Sequence, residues 1–490
     1  MKNLYHLIKG FKLLKSGKSY HVLHITNNSK NLKPYSIFFA IRGTRVDGHT
    51  FLKTATVRGA TTVVIEDKKW LNHLPESINV IHTDNVRKAQ AVIASRFFDE
   101  PSKDLNIIGI TGTNGKTTTS HLISQYLALL GEKTGVIGTV GYKFQNKVLA
   151  TGQTTPDSIK WQKLLKEMKD LGARYVVAEV SSHGIDQYRV YSTRFKGLVF
   201  TNLTQDHLDY HKTMENYFQT KRKLFLQALE TDKGTVFSIN VDDLYGQRLY
   251  DEFESRKETV SYGKKSNYLK LLGFSSLPEG LTIKVQYKGK NTTLKSNLRG
   301  DFNVYNILGA ISVLTALGFD FDTLADLTEK LTPVKGRFEV IPAKDFIVVN
   351  DYAHTPDALE KLLKSLRPMT KGRLILVFGA GGDRDKAKRP LMGKVAEHYA
   401  DTVILTSDNP RSEDPVDIIH QIKQGMKKVP LEIVDREEAI REAIRLAKTG
   451  DAVVIAGKGH ETYQIVGDKV FHFDDSNVAK KYLKLLGKDA

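Results

Sequence analysis

A glycine-rich segment lies between an apolar run and a helix-forming run of the sequence. Residues 106–110 have the apolar character of a buried strand, residues 111–116 read TGTNGK, and a helical pattern follows from Thr117 to near Gly131. Glycines at 109, 112 and 115 allow the backbone N–H groups and the helix N-terminus to approach a phosphate. Lys116 adds a positive charge, and Thr117 is placed to face Mg²⁺. Ile110 replaces one glycine of the usual phosphate-loop motif, so the segment predicts a variant nucleoside triphosphate site.

One lysine falls on the apolar side of a predicted helix. Met214, Tyr217, Lys221, Leu224 and Ala228 follow the helical spacing of a single stripe. A buried ammonium is costly, so Lys221 must find a carboxylate, lose its proton or be chemically modified, unless its tip reaches the surface. The spacing alone leaves these alternatives open.

Two further polar residues follow predicted strands near the same region. Glu179 ends the apolar run 175–180, and His207 follows the run 198–203. Ligands of open α/β sheets bind beyond the carboxyl ends of the strands, which is where both residues fall. Beside a phosphate loop, this pair indicates a metal site.

The elements that must position these residues predict an α/β protein of three domains. Apolar strands alternate with helical patterns in each part of the chain, with alternation of antiparallel type between residues 256 and 297. We expect a small N-terminal α/β domain over residues 1–98, a central doubly wound, mainly parallel sheet with the phosphate loop over 99–332, and a C-terminal Rossmann-like domain over 333–490. Residues 99–104 and 332–337 are the expected linkers.

Composition narrows the class of protein. The chain has 490 residues, no cysteine and a formal net charge of +18. Without thiolates, any metal must be held by oxygen or nitrogen ligands, which favours magnesium. The excess lysines lie in scattered pairs rather than in a stripe with interleaved aromatics, so nucleic acid is not an expected partner. Neither a membrane-spanning run nor a signal peptide is apparent, which predicts a cytoplasmic protein with no membrane partner.

Three motifs together resemble those of the Mur ligase family: TGTNGKTTT (111–119), EVSSHGIDQYR (179–189) and DHLDYHKTMENYFQTK (206–221). The resemblance continues through LRGDFNVYN (298–306), KGRFE (335–339), DYAHTPD (351–357), FGAGGDRDKAKRP (378–390), SDNPRSEDP (407–415) and AGKGHE (456–461). It implies a monomeric enzyme of cell-wall peptidoglycan synthesis, with the UDP end of its substrate in the first domain, ATP in the second and an amino acid in the third. The implied reaction joins meso-diaminopimelate to UDP-N-acetylmuramoyl-L-alanyl-D-glutamate through an acyl phosphate.

The resemblance also implies roles for individual residues. Lys116, Lys221, His207 and Glu179 are the expected catalytic group, with Thr117, Glu179 and His207 on Mg²⁺ and Lys221 carbamylated. The residues expected to contact ATP are Gly112, Thr113, Asn114, Gly115, Lys116, Thr117, Thr118, Asn303, Asn306, Arg337, Asp351 and His354. Those expected to hold the UDP-muramoyl dipeptide are Ser29, Gln153, Thr154, Thr155, Ser181, Gln187 and Arg189.

The third domain is expected to select the amino acid. The tetrapeptides GGDR and DNPR and the pentapeptide GKGHE each follow a predicted strand, so their side chains can gather at one sheet edge. The expected amino-acid-binding residues are Arg384, Asp408, Asn409, Pro410, Arg411, Gly457 and Glu461. A guanidinium grips a carboxylate through two parallel hydrogen bonds, so Arg411 is the residue expected to distinguish diaminopimelate from lysine.

Two other functions are compatible with parts of the sequence. One is a related ligase that uses lysine, another amino acid or a folylpolyglutamate-type acceptor. The other is a non-enzymatic basic protein that has kept the fold and holds nucleic acid or a membrane. The joint presence of Lys116, Glu179, His207 and Lys221 argues against the second, because a binding protein does not need that set.

Overall fold

The computed structural model describes residues 1–43, 46–145, 147–150, 153–277 and 279–490. These residues form two compact units. The first comprises residues 1–109, 132–196 and 223–235, and the second comprises residues 110–131, 197–222 and 236–490. The α/β fold class is as predicted, whereas the domain boundaries at residues 98 and 332 stay a prediction. Within the described ranges, the helices are all too short or too polar to cross a membrane.

The first unit contains a five-stranded sheet that is parallel except at one edge. Its strands, in spatial order, are Lys12–Lys15, Asn79–His82, Ala60–Ile65, Ser36–Phe39 and His24–Thr26. Successive side chains of a strand point to opposite faces. Phe39, Val64 and Ile81 accordingly pack on one face, and Phe38 and Val63 pack on the other. A short pair, Lys2–Asn3 with His21–Val22, lies beside the N-terminal helix Leu4–Leu7.

The first unit also holds the strands that carry Glu179. In spatial order they are Lys147–Ala150, Gly141–Phe144, Thr134–Gly138, Tyr175–Glu179 and Asn106–Thr111, the last of which continues into the second unit. The longer helices of this unit are Leu52–Val57, Val86–Phe97 and Ser158–Asp170, and a short helix spans Ser182–Asp186. The expected linker at 99–104 is ordered: Pro101–Lys103 forms a 3-10 turn, and Pro101 and Ser102 are buried.

The second unit continues with parallel and then antiparallel strands. Their order is Phe195–Phe200, Val236–Asn240, Thr259–Gly263, Leu269–Leu277, Gly280–Tyr287 and Lys290–Ser296. The last three strands are joined by antiparallel pairing, as the alternation between 256 and 297 predicts. Around them lie the helices Lys116–Leu129, Leu208–His211, Leu244–Phe253, Phe302–Ala316 and Phe321–Leu327, and the helix Met214–Thr231 leads into the first unit.

The C-terminal part of the second unit is a six-stranded sheet with helices on both faces. The strand order is Glu339–Ile341, Ile347–Asp351, Ala452–Ala456, Leu374–Phe378, Thr402–Leu405 and Leu431–Glu432, and only the first strand is antiparallel. Leu374 and Leu376 pack on one face and Ile375 and Val377 on the other. The helices are Pro356–Leu366, Lys388–Tyr399, Pro415–Lys423, Arg436–Leu446 and Asp475–Leu485.

Side chains of the loops start several of these helices. Thr355 and Asp414 each accept a hydrogen bond from a backbone N–H of the first turn, and a proline occupies the first helical position after each of them. Asp435 caps the helix Arg436–Leu446 in the same way. Short polar side chains satisfy N–H groups that have no partner inside the helix, and proline has no N–H to satisfy.

A buried ion pair braces two strand ends of the C-terminal sheet. The side chains of Arg436 and Asp475 are both completely buried and share two hydrogen bonds of 2.8 Å. The same guanidinium donates to the carbonyls of Ser407 at 3.2 Å and Ala456 at 3.0 Å. These carbonyls directly precede Asp408 and Gly457, so the ion pair fixes the backbone from which two predicted amino-acid-binding segments begin.

Replacing this arginine tests the brace. We expect Arg436→Met to lower the free energy of unfolding by about 3–5 kcal/mol, because it leaves a buried carboxylate without its partner. The matched control is Arg445→Met in the same helix, whose pair with Glu442 leaves the arginine side chain 61% exposed. The control should change stability by less than about 1 kcal/mol. Urea denaturation measures both, and equal effects of the two substitutions would contradict the assignment.

Candidate active site

The phosphate loop has the strand, turn and helix order that the sequence predicts. The turn follows the strand Asn106–Thr111 and ends at the helix Lys116–Leu129. Gly115 has a φ of +84°, and a Cβ at this position would lie 2.4 Å from Asn306 Oδ1. Only glycine therefore fits here without displacing the asparagine. Lys116 folds back over the turn and donates to the carbonyls of Gly112 at 3.0 Å and Thr113 at 2.7 Å.

Lys221 lies inside the protein, as the apolar stripe predicts. Its side chain is 1% exposed and lies 4.8 Å from the centroid of the Tyr217 ring. Its Nζ donates to Gly112 O at 2.8 Å and to Thr111 Oγ1 at 3.4 Å. Burial, and secondarily the nearby Lys116 charge, hold the pKa of Lys221 well below its usual value. Of the alternatives that the sequence left open, extension of its tip to the surface is excluded.

The segment after the strand Phe195–Phe200 supports the phosphate loop. Asn202 Oδ1 accepts from the backbone N–H of Asn114 at 2.9 Å, and Thr204 O accepts from Thr113 Oγ1 at 3.2 Å. The sequence placed this strand at 198–203, three residues too late. Residues 201–204 leave the strand because their polar groups bond to the loop instead.

Two histidines and one lysine lie around the buried carboxylate of Asp206. Asp206 lies 3.4 Å from His207 Nε2, 3.8 Å from His354 Nε2 and 3.7 Å from Lys388 Nζ. Burial opposes ionisation of Asp206, but Lys388 and the two histidines outweigh it and hold its pKa well below the usual range. Burial and the Lys388 charge lower the pKa of His354 to about 4. Sequence reasoning had missed Asp206 and Lys388, although both lie in quoted motifs.

Several predicted nucleotide-contacting residues meet near the start of the helix Lys116–Leu129. Arg337 Nη2 donates to Thr117 Oγ1 at 2.9 Å, and its guanidinium lies 4.2 Å from the Tyr352 ring centroid. Asp351 accepts from the backbone N–H groups of Phe338 at 2.7 Å and Ala353 at 2.8 Å, and burial raises its pKa.

The remaining predicted ATP residues lie in the same region. Asn306 donates to Asn303 Oδ1 at 2.9 Å and accepts from Thr119 Oγ1 at 3.3 Å. Thr118 is buried in the first turn of the helix Lys116–Leu129, and Asn114 donates to Asp357 Oδ2 at 2.9 Å. Asn306, which also bonds to Asn303, thus connects the helix Phe302–Ala316 with the helix Lys116–Leu129. Asn114 connects the phosphate loop with the helix Pro356–Leu366.

Glu179 belongs to the first unit, where its carboxylate is held by one threonine. Thr139 donates to Oε1 through its backbone N–H at 2.8 Å and to Oε2 through its hydroxyl at 2.9 Å. The glutamate is completely buried. A Cβ on Gly138 would lie 2.3 Å from Glu179 Oε1, so the glycine leaves room for the carboxylate.

A cleft of about 310 Å³ in the first unit contains several residues predicted to hold the muramoyl peptide. Gln153, Gln187 and Arg189 line it. Arg189 donates to Gln187 Oε1 at 2.8 Å and to Thr155 O at 2.6 Å, and it also contacts Gln153 Oε1. Lining residues that sequence reasoning had missed are Asn27, Arg87, Gln90, Tyr142, Pro156, Asp157, Ser158 and Lys160.

Three other residues of the predicted peptide-binding set have structural contacts near or outside this cleft. Thr154 Oγ1 lies 3.0 Å from Thr139 Oγ1, and Ser181 Oγ accepts from Gly184 N at 3.1 Å as the cap of a short helix. Ser29 does not line the cleft. It begins the single turn Ser29–Asn31, and its carbonyl accepts from Arg58 Nη1 at 3.2 Å.

The predicted amino-acid-binding residues meet at the carboxyl ends of strands in the C-terminal sheet. Asn409 donates to Glu461 Oε2 at 2.8 Å, and a Cβ on Gly457 would lie 2.7 Å from Asp408 Oδ2. Pro410 is buried beside Gly382, and Arg384 is exposed and donates to Asp383 O at 2.9 Å.

Arg411 follows Pro410 in the chain and has a left-handed backbone conformation. Its φ is +53°, and its Nη1 donates to Gly382 O at 2.8 Å. A Cβ on Gly381 would lie 2.9 Å from Arg411 Nη1 and 3.6 Å from Arg384 Cγ, so both arginines border the same glycine. Burial and the neighbouring Arg384 charge lower the pKa of Arg411. Two adjacent guanidinium groups at this place suit an anionic ligand group.

The chain matches three parts of one protein family. Residues 21–98 match the Mur ligase family, catalytic domain, residues 110–314 the Mur ligase middle domain, and residues 336–459 the Mur ligase, glutamate ligase domain. The chain belongs to the Mur ligase family. It is 49% identical over 470 residues to the UDP-N-acetylmuramoyl-L-alanyl-D-glutamate--2,6-diaminopimelate ligase of Aquifex aeolicus (strain VF5), covering 95% of each chain.

Two solved structures resemble this Mur ligase over nearly all of its length. A UDP-N-acetylmuramoyl-L-alanyl-D-glutamate--2,6-diaminopimelate ligase structure has a TM-score of 0.68 and 32% identity and covers 99% of both chains. MurF ligase from Thermotoga maritima in complex with ADP has a TM-score of 0.61 and 19% identity, covering 94% of this chain and 98% of that one. The second likeness concerns the fold alone.

The donor groups expected to bind metal in this Mur ligase are a hydroxyl, a carboxylate and an imidazole. Thr117 and His207 lie in the second unit and Glu179 in the first. In the part of the chain that the structure describes, there is no ready-made cluster of three or more His, Asp or Glu side chains around a metal position. Mg²⁺ commonly has few protein ligands and keeps several waters, so a sparse set of this kind fits it.

A glycine substitution tests the phosphate loop. We expect Gly115→Ala to weaken ATP binding more than about tenfold, because the added Cβ collides with Asn306 Oδ1 and strains the start of the helix. Gly131→Ala is the matched control: its φ of +82° is similar, but nothing lies within 4 Å of the added Cβ. Titration calorimetry with ATP should give a dissociation constant for the control within about twofold of the unmodified protein. Equal weakening by both substitutions would refute the proposed position of the triphosphate.

Proposed function

We propose that this Mur ligase is an ATP-dependent amide-bond-forming enzyme that adds meso-2,6-diaminopimelate to UDP-N-acetylmuramoyl-L-alanyl-D-glutamate, forming ADP and phosphate. The observation that carries the choice of amino acid is the position of Arg411 beside Arg384 at the end of the C-terminal sheet. Relatives that are similar over nearly the whole chain, such as the Aquifex aeolicus ligase, support the overall reaction.

Charge at the third-domain site favours an amino acid with two carboxylates. Arg384, Arg411 and the buried Lys458 lie near Asp408 and Glu461, whereas Arg436 is already paired with Asp475. Asp383 also lies near Arg411, so the support for a second carboxylate is the adjacency of the two guanidinium groups rather than an excess of cations. Diaminopimelate carries one carboxylate more than lysine, and a guanidinium binds such a group through two parallel hydrogen bonds.

The proposed reaction has two chemical steps. The side-chain carboxylate oxygen of D-glutamate attacks the γ-phosphorus of ATP and releases ADP, which converts a poor leaving group into an acyl phosphate. The amine of the amino acid then attacks the acyl carbon, and the tetrahedral intermediate expels phosphate while the nitrogen loses a proton. Lys116, the N-terminus of the helix Lys116–Leu129 and Arg337 provide positive potential for the transferred phosphoryl group.

We assign Mg²⁺ to Thr117, Glu179 and His207. When bound there, the ion would neutralise charge on the phosphate oxygens. The lowered pKa of His354, about 4, keeps the ring neutral near pH 7, and because Nδ1 donates to Tyr352 O at 2.8 Å, Nε2 can accept one hydrogen bond. Asn303, Asn306 and Asp351 position the segments that surround the nucleotide.

Lys221 is proposed to be carbamylated. An uncharged amine attacks the carbon of CO₂, and loss of a proton leaves a carbamate anion on Nζ. The lowered pKa of Lys221 supplies the uncharged amine that this reaction requires. The anion would lie beside Lys116 and Thr111, where the Lys116 ammonium would attract it.

The first unit is proposed to hold the UDP-muramoyl dipeptide. The cleft lined by Gln153, Gln187 and Arg189 supplies amide and guanidinium groups for its polar atoms, with Thr154, Thr155 and Ser181 adjacent in the chain. Ser29 is assigned to the uridine end, apart from the cleft. We retain three domains divided near residues 98 and 332, and a monomer that acts in the cytoplasm on small molecules, without nucleic acid or membrane.

The choice of amino acid is tested by phosphate release with ATP and UDP-N-acetylmuramoyl-L-alanyl-D-glutamate. We expect release to depend on meso-diaminopimelate and the product mass to equal that of the tripeptide adduct, with lysine at least about 100-fold less effective in kcat/KM. Release with lysine but not diaminopimelate would reject the substrate assignment. Absence of release with any amino acid would favour the non-enzymatic basic protein.

Arg411→Met makes the same test specific to one side chain. We expect the variant to lose about tenfold to hundredfold in kcat/KM for diaminopimelate and to change little with lysine, because only the second carboxylate loses its partner. Arg441→Met, which removes an exposed arginine paired with Glu438, is the control and should behave as the unmodified enzyme. An equal loss with both amino acids would remove Arg411 from substrate selection.

Carbamylation is tested by ¹³C NMR in ¹³C-bicarbonate. We expect a carbamate resonance from the unmodified protein that is absent in Lys221→Met, because burial supplies the uncharged amine. The control is Lys223→Met, which replaces a lysine in the same helix whose side chain is 52% exposed. A spectrum in which neither substitution removes the resonance, or in which no resonance appears at all, would show that Lys221 is unmodified.

A further inference from the structure

Lys458 is a completely buried lysine beside the predicted amino-acid site that the sequence patterns did not single out. Its Nζ donates to Asn409 Oδ1 at 3.2 Å, Glu461 Oε2 at 3.3 Å and Tyr463 O at 2.5 Å. The side chain is 0% exposed. One ammonium thus connects the loop of Asn409, the turn of Glu461 and the first strand of the hairpin Tyr463–Val466 and Lys469–His472.

The glycines on either side of Lys458 have positive φ values and close neighbours. Gly457 and Gly459 have φ values of +115° and +51°. A Cβ on Gly459 would lie 2.5 Å from Gly336 O and 2.8 Å from Tyr352 Cβ, and Gly459 O accepts from Asn350 Nδ2 at 2.9 Å. The backbone is therefore closely packed on both sides of Lys458, whose own side chain is buried.

Two carboxylates near Lys458 would otherwise repel each other. Burial, and then the Asp408 charge, raise the pKa of Glu461, and Lys458 opposes that rise. Burial also disfavours the charged form of Asp408, but Lys458 and Arg436 hold its pKa below the ordinary value. A buried charge without a partner is costly, and removing the ammonium would take away the cation that pairs with Glu461 and leave Asp408 with Arg436 alone.

The contacts of Lys458 are unusual for a purely structural residue. An apolar side chain of similar length would fill the same volume without the cost of a buried charge, and a buried ion pair is often no more stabilising than such a replacement. An apolar side chain cannot donate hydrogen bonds to both Asn409 and Glu461, as the Lys458 ammonium does. Asn409 and Glu461 both belong to the set of residues predicted to bind the amino acid.

We propose that Lys458 is a positioning residue for the amino acid: together with Asn409 it keeps Glu461 ionised and in place, so that the Glu461 carboxylate binds the ammonium group at the diaminopimelate end distant from the new amide bond. The proposal rests on the proposed function, because it names a further determinant of the same site. Lys458 itself does not touch the substrate. It acts through Glu461 and Asn409, and it has no role in phosphoryl transfer.

The test is steady-state kinetics of Lys458→Met with each of the three substrates varied in turn. We expect the KM for diaminopimelate to rise about tenfold to hundredfold, whereas kcat and the KM for ATP stay within about threefold. A merely structural role would lower the melting temperature and kcat without this selective change. Lys469→Met, an exposed lysine in the neighbouring hairpin, is the matched control and should leave all constants within about twofold.

A double-mutant comparison identifies Glu461 as the residue through which Lys458 acts. If Lys458 works by aligning Glu461, the effects of Lys458→Met and Glu461→Gln on the KM for diaminopimelate will not multiply in the combined variant. Multiplying effects, or equal changes in the KM of all three substrates, would overturn the proposal. Lys458→Gln, which keeps a hydrogen-bonding tip without the charge, replaces the methionine variant should that not fold. Failure of both to fold would assign Lys458 to stability and overturn the proposal as well.

Failure of the proposed function gives a different result. If the unmodified enzyme incorporates another amino acid, the substrate assignment falls, and the same kinetic comparison is made with that amino acid. A selective rise in its KM would support Lys458 as a positioning residue, and an unchanged KM would overturn it.

Discussion

A single backbone carbonyl in the phosphate loop accepts hydrogen bonds from the side chains of two lysines. Gly112 O lies 3.0 Å from Lys116 Nζ and 2.8 Å from Lys221 Nζ, and the second lysine is almost wholly shielded from water. Two charged ammonium groups this close repel each other strongly where water cannot screen them. The loop therefore favours either an uncharged Lys221 or an anion beside the pair. A triphosphate and a carbamate both satisfy that condition, which ties nucleotide binding to the chemical state of Lys221.

The remainder of the nucleotide region is organised around this loop. Asn202 and Thr204 hold it from the strand end of one neighbour, and Arg337 meets Thr117 from the segment that leads into the C-terminal sheet. Asp206 collects Lys388 and His354 from the same C-terminal sheet region. Charges at the phosphate loop and charges beyond residue 332 are thus joined by direct contacts within the second unit.

Local sequence patterns predicted the elements in which apolar residues recur at a regular spacing or in which glycines mark a turn. The strand before the phosphate loop, the inward position of Lys221 and the C-terminal parallel strands all follow from spacing that one segment contains. Lys458 and Asp206 were missed because the residues next to them in the sequence give no sign that their side chains are buried. Their burial comes from segments distant in the chain: Lys458 is enclosed by residues near 336, 352 and 409, and Asp206 by residues 354 and 388. Clusters of this kind require the tertiary fold.

Some of the strained backbone lies in loops that present predicted site residues. His207, Asp383 and Arg411 have φ values of +55°, +53° and +53°, a region that costs a non-glycine residue about 1 kcal/mol or more. At Arg411 the hydrogen bonds Arg411 N to Ile465 O and Gly467 N to Arg411 O, of 3.1 and 2.7 Å, hold the strained residue to the hairpin. The surrounding structure thus maintains a conformation that the arginine alone would avoid. The hydrogen bond from Nη1 to Gly382 O also holds its guanidinium, so the carboxylate binding proposed for Arg411 would require less ordering of the side chain.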